Sequence, residues 1–209
     1  MAPQRIATAV LLTRGEGDDA EVYCVLRSPE LRFFGGYWAL PGGVLDPSDG
    51  VLAGPGDGDA DADATLARCG LRELFEETGV LPAALAAAVD DTTRDTLRRA
   101  LLADEPDAGA RFRALVDAHP RALEALRSLG TLTTPAFAPV RYRTRFLHSA
   151  LPSGADAPVV WPASLQRELV DGRFARAEEW LAPWRRGELL IAPPVLFLLG
   201  ELQRRGLAR

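Results

Sequence analysis

A chain of 209 residues with 47% hydrophobic and 25% charged side chains has the composition of a soluble globular protein and excludes a disordered or fibrous one. Its 24 basic and 29 acidic residues leave a net charge of -5, the wrong sign for a protein whose main partner is a nucleic-acid backbone. The longest apolar runs, Ala83 to Val89 and Val195 to Leu199, fall far short of the roughly 20 residues a membrane span needs, so no bilayer crossing is expected.

Ile6 to Leu12 and Glu21 to Leu26 are rich in Val, Leu and Tyr and flank a Gly/Asp turn, which predicts a hairpin. The N-terminal run reads as a first strand and not as an export signal, so a cytoplasmic protein is expected. Tyr37 to Leu40 is a short strand running into Pro41-Gly42-Gly43, a breaker that lets the backbone approach another group closely. Asp46 to Asp63, dominated by Asp, Gly, Ala and Pro, reads as a mobile acidic loop. Its alternating Asp57, Asp59, Asp61 and Asp63 lack the Gly and Glu of a calcium loop.

Thr65 to Thr78 carries Leu66, Leu71, Leu74 and Phe75 at helical spacing and stops at Gly79, with Pro82 beyond. From Pro82 to Gly130 the pattern stays helical in short pieces, through Leu97, Leu101, Phe112, Val116, Leu123, Leu126 and Leu129, which predicts a helical insertion. Val140 to Leu151 alternates and predicts a strand, as does Glu168 to Phe174, while Glu178 to Trp184 and Pro194 to Arg204 predict closing helices. The expectation is one domain over residues 1–209, of α/β (α+β) class, with a mixed sheet sandwiched by helices.

Within the first long helix, Glu73, Glu76 and Glu77 are spaced to project from one face. Three like charges there repel unless cations sit between the oxygens, and Mg2+ suits hard carboxylate ligands. Cys24 and Cys69 are too few for a disulfide framework and are expected as free thiols. His148 is read as a hydrogen-bonded structural histidine more readily than a base, and His119 as a helix-end cap. Trp161, Trp180 and Trp184 are read as packing residues.

At the carboxylate helix the chain resembles the Nudix hydrolases, whose signature is G-x5-E-x7-R-E-U-x-E-E-x-G-U with U aliphatic. Arg72, Glu73, Leu74, Glu76, Glu77, Gly79 and Val80 match its second half, and Gly43 fits the opening Gly if roughly 15 additional residues loop out between the halves. The resemblance implies a Nudix fold and divalent-metal hydrolysis of a diphosphate linked to another group, with Mg2+ as the metal and Mn2+ as its substitute. It implies Glu73, Glu76 and Glu77 as metal ligands, a backbone carbonyl from Gly42, and Arg72 orienting the carboxylates. Counted back from Arg72, the signature's first Glu falls on Ala64, so its role is missing or passes to Asp63 or Asp61. Glu168 stands where Nudix proteins often place a further carboxylate and is a candidate base.

Upstream, Arg27, Ser28, Arg32, Gly36, Pro41, Gly42 and Gly43 match the motif R-[SA]-x3-R-x3-G-x3-F-P-G-G of coenzyme A diphosphatases, with Leu40 in place of Phe. The interrupted signature, the helical insertion and Thr133-Thr134-Pro135 followed by Arg141 to Phe146 resemble the long-insert acyl-CoA diphosphatase branch. That resemblance implies cleavage of coenzyme A or acyl-CoA to adenosine 3',5'-bisphosphate and (acyl-)phosphopantetheine. Arg27, Ser28, Arg32, Gly36 and Gly43 would be the substrate-binding residues. Two alternatives stand beside it: a Nudix diphosphatase for a dinucleotide or nucleotide sugar, and a non-catalytic Nudix nucleotide-binding regulator. The expected partner is a small-molecule nucleoside diphosphate derivative, and a homodimer is compatible with the sequence.

Overall fold

The structure is a computed structural model that describes residues 4–52, 60–138, 140–151 and 168–206. In chain order these form β1 (Gln4–Arg14), β2 (Glu21–Arg27), β3 (Tyr37–Ala39), β4 (Gly42–Val44), α1 (Ala60–Thr78), α2 (Ala83–Ala86), α3 (Asp91–Leu102), α4 (Ala108–Asp117) and α5 (Arg121–Glu124). There follow β5 (Arg127–Thr133), β6 (Arg141–Ala150), β7 (Leu169–Arg176), α6 (Ala177–Arg185), β8 (Leu190–Ile191) and α7 (Pro193–Arg205). The class is mixed α/β, as expected, and the chain divides into two compact units, Met1–Val10 with Gly42–Ser149 and Leu11–Pro41 with Ala150–Arg209.

In the first unit the start of β1 pairs antiparallel with β4, Thr8 standing opposite Gly43. β5 and β6 form an antiparallel pair with Thr131 opposite Arg145. Helix α1 buries Leu71 and Phe75 in a core completed by Leu97 and Leu101 of α3 and Phe112 and Val116 of α4. The Phe75 and Phe112 rings stack with centroids 5.5 Å apart. The inserted helices are therefore the other half of the core on which α1 rests. Each large apolar side chain withdrawn from water there is worth about 1.5–3 kcal/mol.

Three expectations need correction in this unit. Helix α1 begins at Ala60 and not at Thr65, because Ala is the strongest helix former and acidic residues favour a first turn, so no apolar period is required there. Asp46–Asp49 is not loop: Asp46 caps a 3-10 turn, its side chain accepting the Ser48 N–H at 2.8 Å while Asp49 accepts the Asp46 N–H at 2.9 Å. Of the rest of the expected acidic loop, residues 53–59, with Asp57 and Asp59, and the side chain of Asp61 lie outside the described residues, while Ala60 to Asp63 belong to α1. Leu129 is strand and not helix, since the Thr-rich run to Thr133 pairs along β6.

In the second unit the end of β1 pairs with β2, giving the expected hairpin, with Thr13 opposite Val22. β2 also pairs antiparallel with β3 and along its length with β7, and the parallel pairing of β3 with β8 makes the sheet mixed. Trp180 of α6 is fully buried, donates its indole N–H to the Val22 carbonyl at 3.2 Å, and lies 4.7 Å from the Trp38 ring. Arg173 covers both rings. Trp184 is partly exposed and Trp161 lies outside the described residues. Helices α6 and α7 pack on each other as the closing pair. Among the described residues no helix is long and apolar enough to cross a membrane.

Candidate active site

Gly42 and Gly43 thread β4 between β1 and α1, where neither position has room for a side chain. A Cβ on Gly42 would fall 2.7 Å from Ala9 Cα and closer still to the Thr8 carbonyl, and one on Gly43 would lie within 2.5 Å of the Glu73 carboxylate. The Pro-Gly-Gly breaker is thus a demand of packing: the backbone comes so near α1 that the Gly42 N–H donates to Glu77 Oε2 at 3.1 Å. The contact with Glu77 uses the Gly42 N–H; the resemblance concerns the carbonyl of the same residue, which takes no part in this contact.

On α1 the expected face is present and organised by Arg72, itself almost wholly buried. Its Nε and Nη2 form a bidentate pair with Asp49, at 2.8 and 2.9 Å, and Nη2 also reaches the Val44 carbonyl at 3.2 Å. Its Nη1 meets Glu73 Oε1 at 2.9 Å and Glu76 Oε1 at 3.1 Å. Burial opposes the charge on Arg72, yet the Asp49 hydrogen bonds and the field of Glu73, Asp49 and Glu76 more than offset it, so its pKa rises. Burial works the other way on the acids. It pushes the Glu73 carboxyl up to about 7 against the pull of Arg72, and it raises Glu76 as well.

Asp49 is the functional residue missed by sequence reasoning, and its signal was present. It is the sixth residue after Gly43, which is the place of the signature's first Glu when the count runs forward from the glycine. Counting back eight places from Arg72 stops at Ala64, before the inserted residues are crossed. Asp63, named as a stand-in, is half exposed and pairs with Arg145 Nη2 at 3.1 Å, whereas Asp49 holds Arg72.

Among the described residues, no three His, Cys, Asp or Glu side chains are gathered into a ready metal-holding group. Arg72 and the Gly42 N–H hold the oxygens that would have to converge. Cys69 and Cys24 are buried free thiols, as expected, and burial raises both pKa values. Cys69 accepts the Thr8 hydroxyl at 3.2 Å. His119 caps α4 through a 2.8 Å contact with the Leu115 carbonyl, and His148 is half buried with its pKa lowered by burial and then by Arg127.

The second unit holds the remaining expected residues. Ser28 is buried, and its N–H donates at 2.7 Å to the carbonyl of Glu168, whose side chain is exposed in the turn before β7. The Gly36 N–H returns to the Arg27 carbonyl at 3.0 Å, closing the loop that carries exposed Arg32; Gly36 sits at φ +76°, which favours glycine. The Nε of Arg27 is buried and has no hydrogen-bond partner among the described residues.

The Nudix domain family matches residues 3–113. The chain belongs to the Nudix family. It is similar to a Nudix hydrolase from Alicyclobacillus acidocaldarius, at 28% identity over 97% of this chain and 92% of that one, with a TM-score of 0.71. Two further structures share the fold. One is the Nudix domain of Shewanella oneidensis NrtR in complex with ADP ribose, at 16% identity, 98% and 90% coverage and a TM-score of 0.55. The other is a MutT protein from Methanosarcina mazei, at 14% identity, 99% and 98% coverage and a TM-score of 0.51. No curated protein matches the chain. This Nudix protein is an enzyme, a diphosphatase acting on phosphoric anhydrides.

Proposed function

We propose that this Nudix enzyme hydrolyses the diphosphate of coenzyme A or its acyl thioesters to adenosine 3',5'-bisphosphate and (acyl-)phosphopantetheine. The observation that supports the choice is the loop from Arg27 to Gly36, which matches the coenzyme A motif and carries Arg27 and Arg32 as its cationic side chains. Arg32, Ser28 and Gly36 belong to the same loop, and Gly43 keeps the backbone beside Glu73 free of a side chain. Glu168 is the carboxylate offered as base.

The donors suit Mg2+ or Mn2+ chemically, being hard carboxylate oxygens of Glu73, Glu76 and Glu77, with the Gly42 carbonyl as a fourth. A bound divalent ion supplies charge neutralisation at the diphosphate and lowers the pKa of water. Arg72, fixed on Asp49, keeps Glu73 and Glu76 on one side of α1 until the ion competes for them.

ADP ribose in the related NrtR domain favours a second reading, a diphosphatase for another nucleotide derivative. A Mg2+-dependent hydrolysis screen over coenzyme A, acyl-CoAs, NADH, ADP-ribose and nucleotide sugars, with products identified by mass, separates the two. Turnover of a nucleotide sugar or ADP-ribose without coenzyme A would overturn the first.

A further inference from the structure

Glu76 and Glu77 stand in the last turn of α1, which ends at Thr78. Helix ends fray because their final carbonyls lack partners within the helix, so carboxylates placed there are held only as well as those carbonyls are capped. Two of the caps are local. The Gly79 N–H returns to the Phe75 carbonyl at 2.8 Å from a left-handed φ of +73°. The Thr78 hydroxyl donates to the Leu74 carbonyl at 2.5 Å and accepts the Val80 N–H at 3.0 Å.

The third cap comes from the insertion. Arg98 of α3 donates its Nε to the carbonyl of Glu76 itself at 3.1 Å. Its guanidinium lies against the bare backbone of Gly79, where a Cβ would come 2.8 Å from Nη1. A cation at a helix C-terminus also complements the macrodipole. Helix α3 is a firm platform for this contact, because Leu97 and Leu101 share one core with Leu71 and Phe75 on the back of α1.

We propose that Arg98 is a positioning residue of the hydrolytic site. By fixing the Glu76 carbonyl it keeps the last turn of α1 wound, and with it the carboxylates of Glu76 and Glu77 in place to capture the divalent ion. The inserted helices thereby serve the site through one defined contact. This inference rests on the metal-site reading above.

The test uses the full chain with Arg98→Ala and Arg98→Lys, titrated with Mn2+ alone and followed by the loss of the free-ion paramagnetic resonance signal. Arg98→Ala is expected to weaken Mn2+ binding about tenfold and lower kcat by a similar factor, with KM for substrate within about twofold. Hydrogen exchange at the Gly79 and Val80 amides is expected to quicken while the Leu66 to Gly70 stretch is unchanged. Lys, which keeps a charged donor, is expected to recover most of both. Should Arg98→Ala fail to fold, Arg98→Gln, which keeps a neutral donor, carries the same comparison. A variant that binds Mn2+ and turns over like the wild type, even if less stable, overturns the proposal and leaves Arg98 a structural cap. Failure of the metal-site reading shows separately, as a wild-type protein that binds no Mn2+, and it overturns both.

Discussion

Replacing Asp49 with Asn removes one charge from a buried pair while keeping its size, and the structure sets the scale of the effect. Asp49 is 3% exposed and takes two hydrogen bonds from a guanidinium 9% exposed. Breaking a buried pair by disabling one partner costs about 3–5 kcal/mol. Arg72 keeps Glu73 at 2.9 Å and Glu76 at 3.1 Å, so part of its charge remains compensated and about 2–3 kcal/mol is expected. At this chain length that corresponds to a fall in Tm of roughly 5–10 °C. Far-UV circular dichroism through a thermal and a urea transition reads it, and a double-mutant cycle with Arg72→Gln should return a coupling of at least about 1.5 kcal/mol. Activity should fall as well, because an unanchored Arg72 stays with Glu73 and Glu76 when the cation arrives. A coupling near zero, with Tm unmoved, would refute Asp49 as the anchor.

Glu73 carries a sign that can be checked: its folded pKa of about 7 lies above the ordinary 4.5, so the folded state holds the proton more tightly and stability falls as pH rises between these values. Without divalent ions the protein should lose up to about 3 kcal/mol between pH 4.5 and 8 on this account, and urea midpoints for Glu73→Gln should lack that decline. Glu76→Gln and Glu77→Gln should each lower turnover at saturating Mg2+ by at least about a hundredfold while remaining folded; near-normal rates in both would remove the metal-site assignment. Gly43→Ala should drive the Glu73 carboxylate aside and weaken Mn2+ binding, whereas unchanged binding would show that Glu73 tolerates displacement. Wild-type enzyme should prefer coenzyme A to dephospho-coenzyme A by about tenfold in kcat/KM, and Arg27→Ala should erase much of that preference, because a charged hydrogen bond to the 3'-phosphate is lost. Equal cleavage of both by the wild type would sink the coenzyme A reading.

The parts legible from sequence were those in which one face of an element meets the core. The first hairpin, the carboxylate helix, β6, β7 and the two closing helices all carry an apolar period that burial enforces. The parts that were not legible depend on single polar contacts. Asp46 to Asp49 has loop composition, and what orders it is the reciprocal hydrogen bonds of its cap, the guanidinium of Arg72 and its packing on α1 and α4. The first turns of α1 are Ala and Asp, which hold a helix without marking a buried face. Arg98 is one arginine among several in an inserted segment, and nothing in its spacing announces that it reaches Glu76.

Arg72 explains why the arrangement needs an arginine and not a lysine. Its planar fork serves Asp49 with Nε and Nη2, the Val44 carbonyl with Nη2, and Glu73 and Glu76 with Nη1. A lysine ammonium has three donors at one point and could not hold an anchor on one side while releasing carboxylates on the other. Because the bidentate side faces buried Asp49, a cation that competes for Glu73 and Glu76 has to displace only the single-nitrogen side. The acids outnumber the guanidinium, and burial makes that excess costly in the resting protein. The same excess would draw a divalent ion to this face of α1, so the stability lost at Glu73 as pH rises from 4.5 to about 7 and the proposed affinity for metal would have one physical origin.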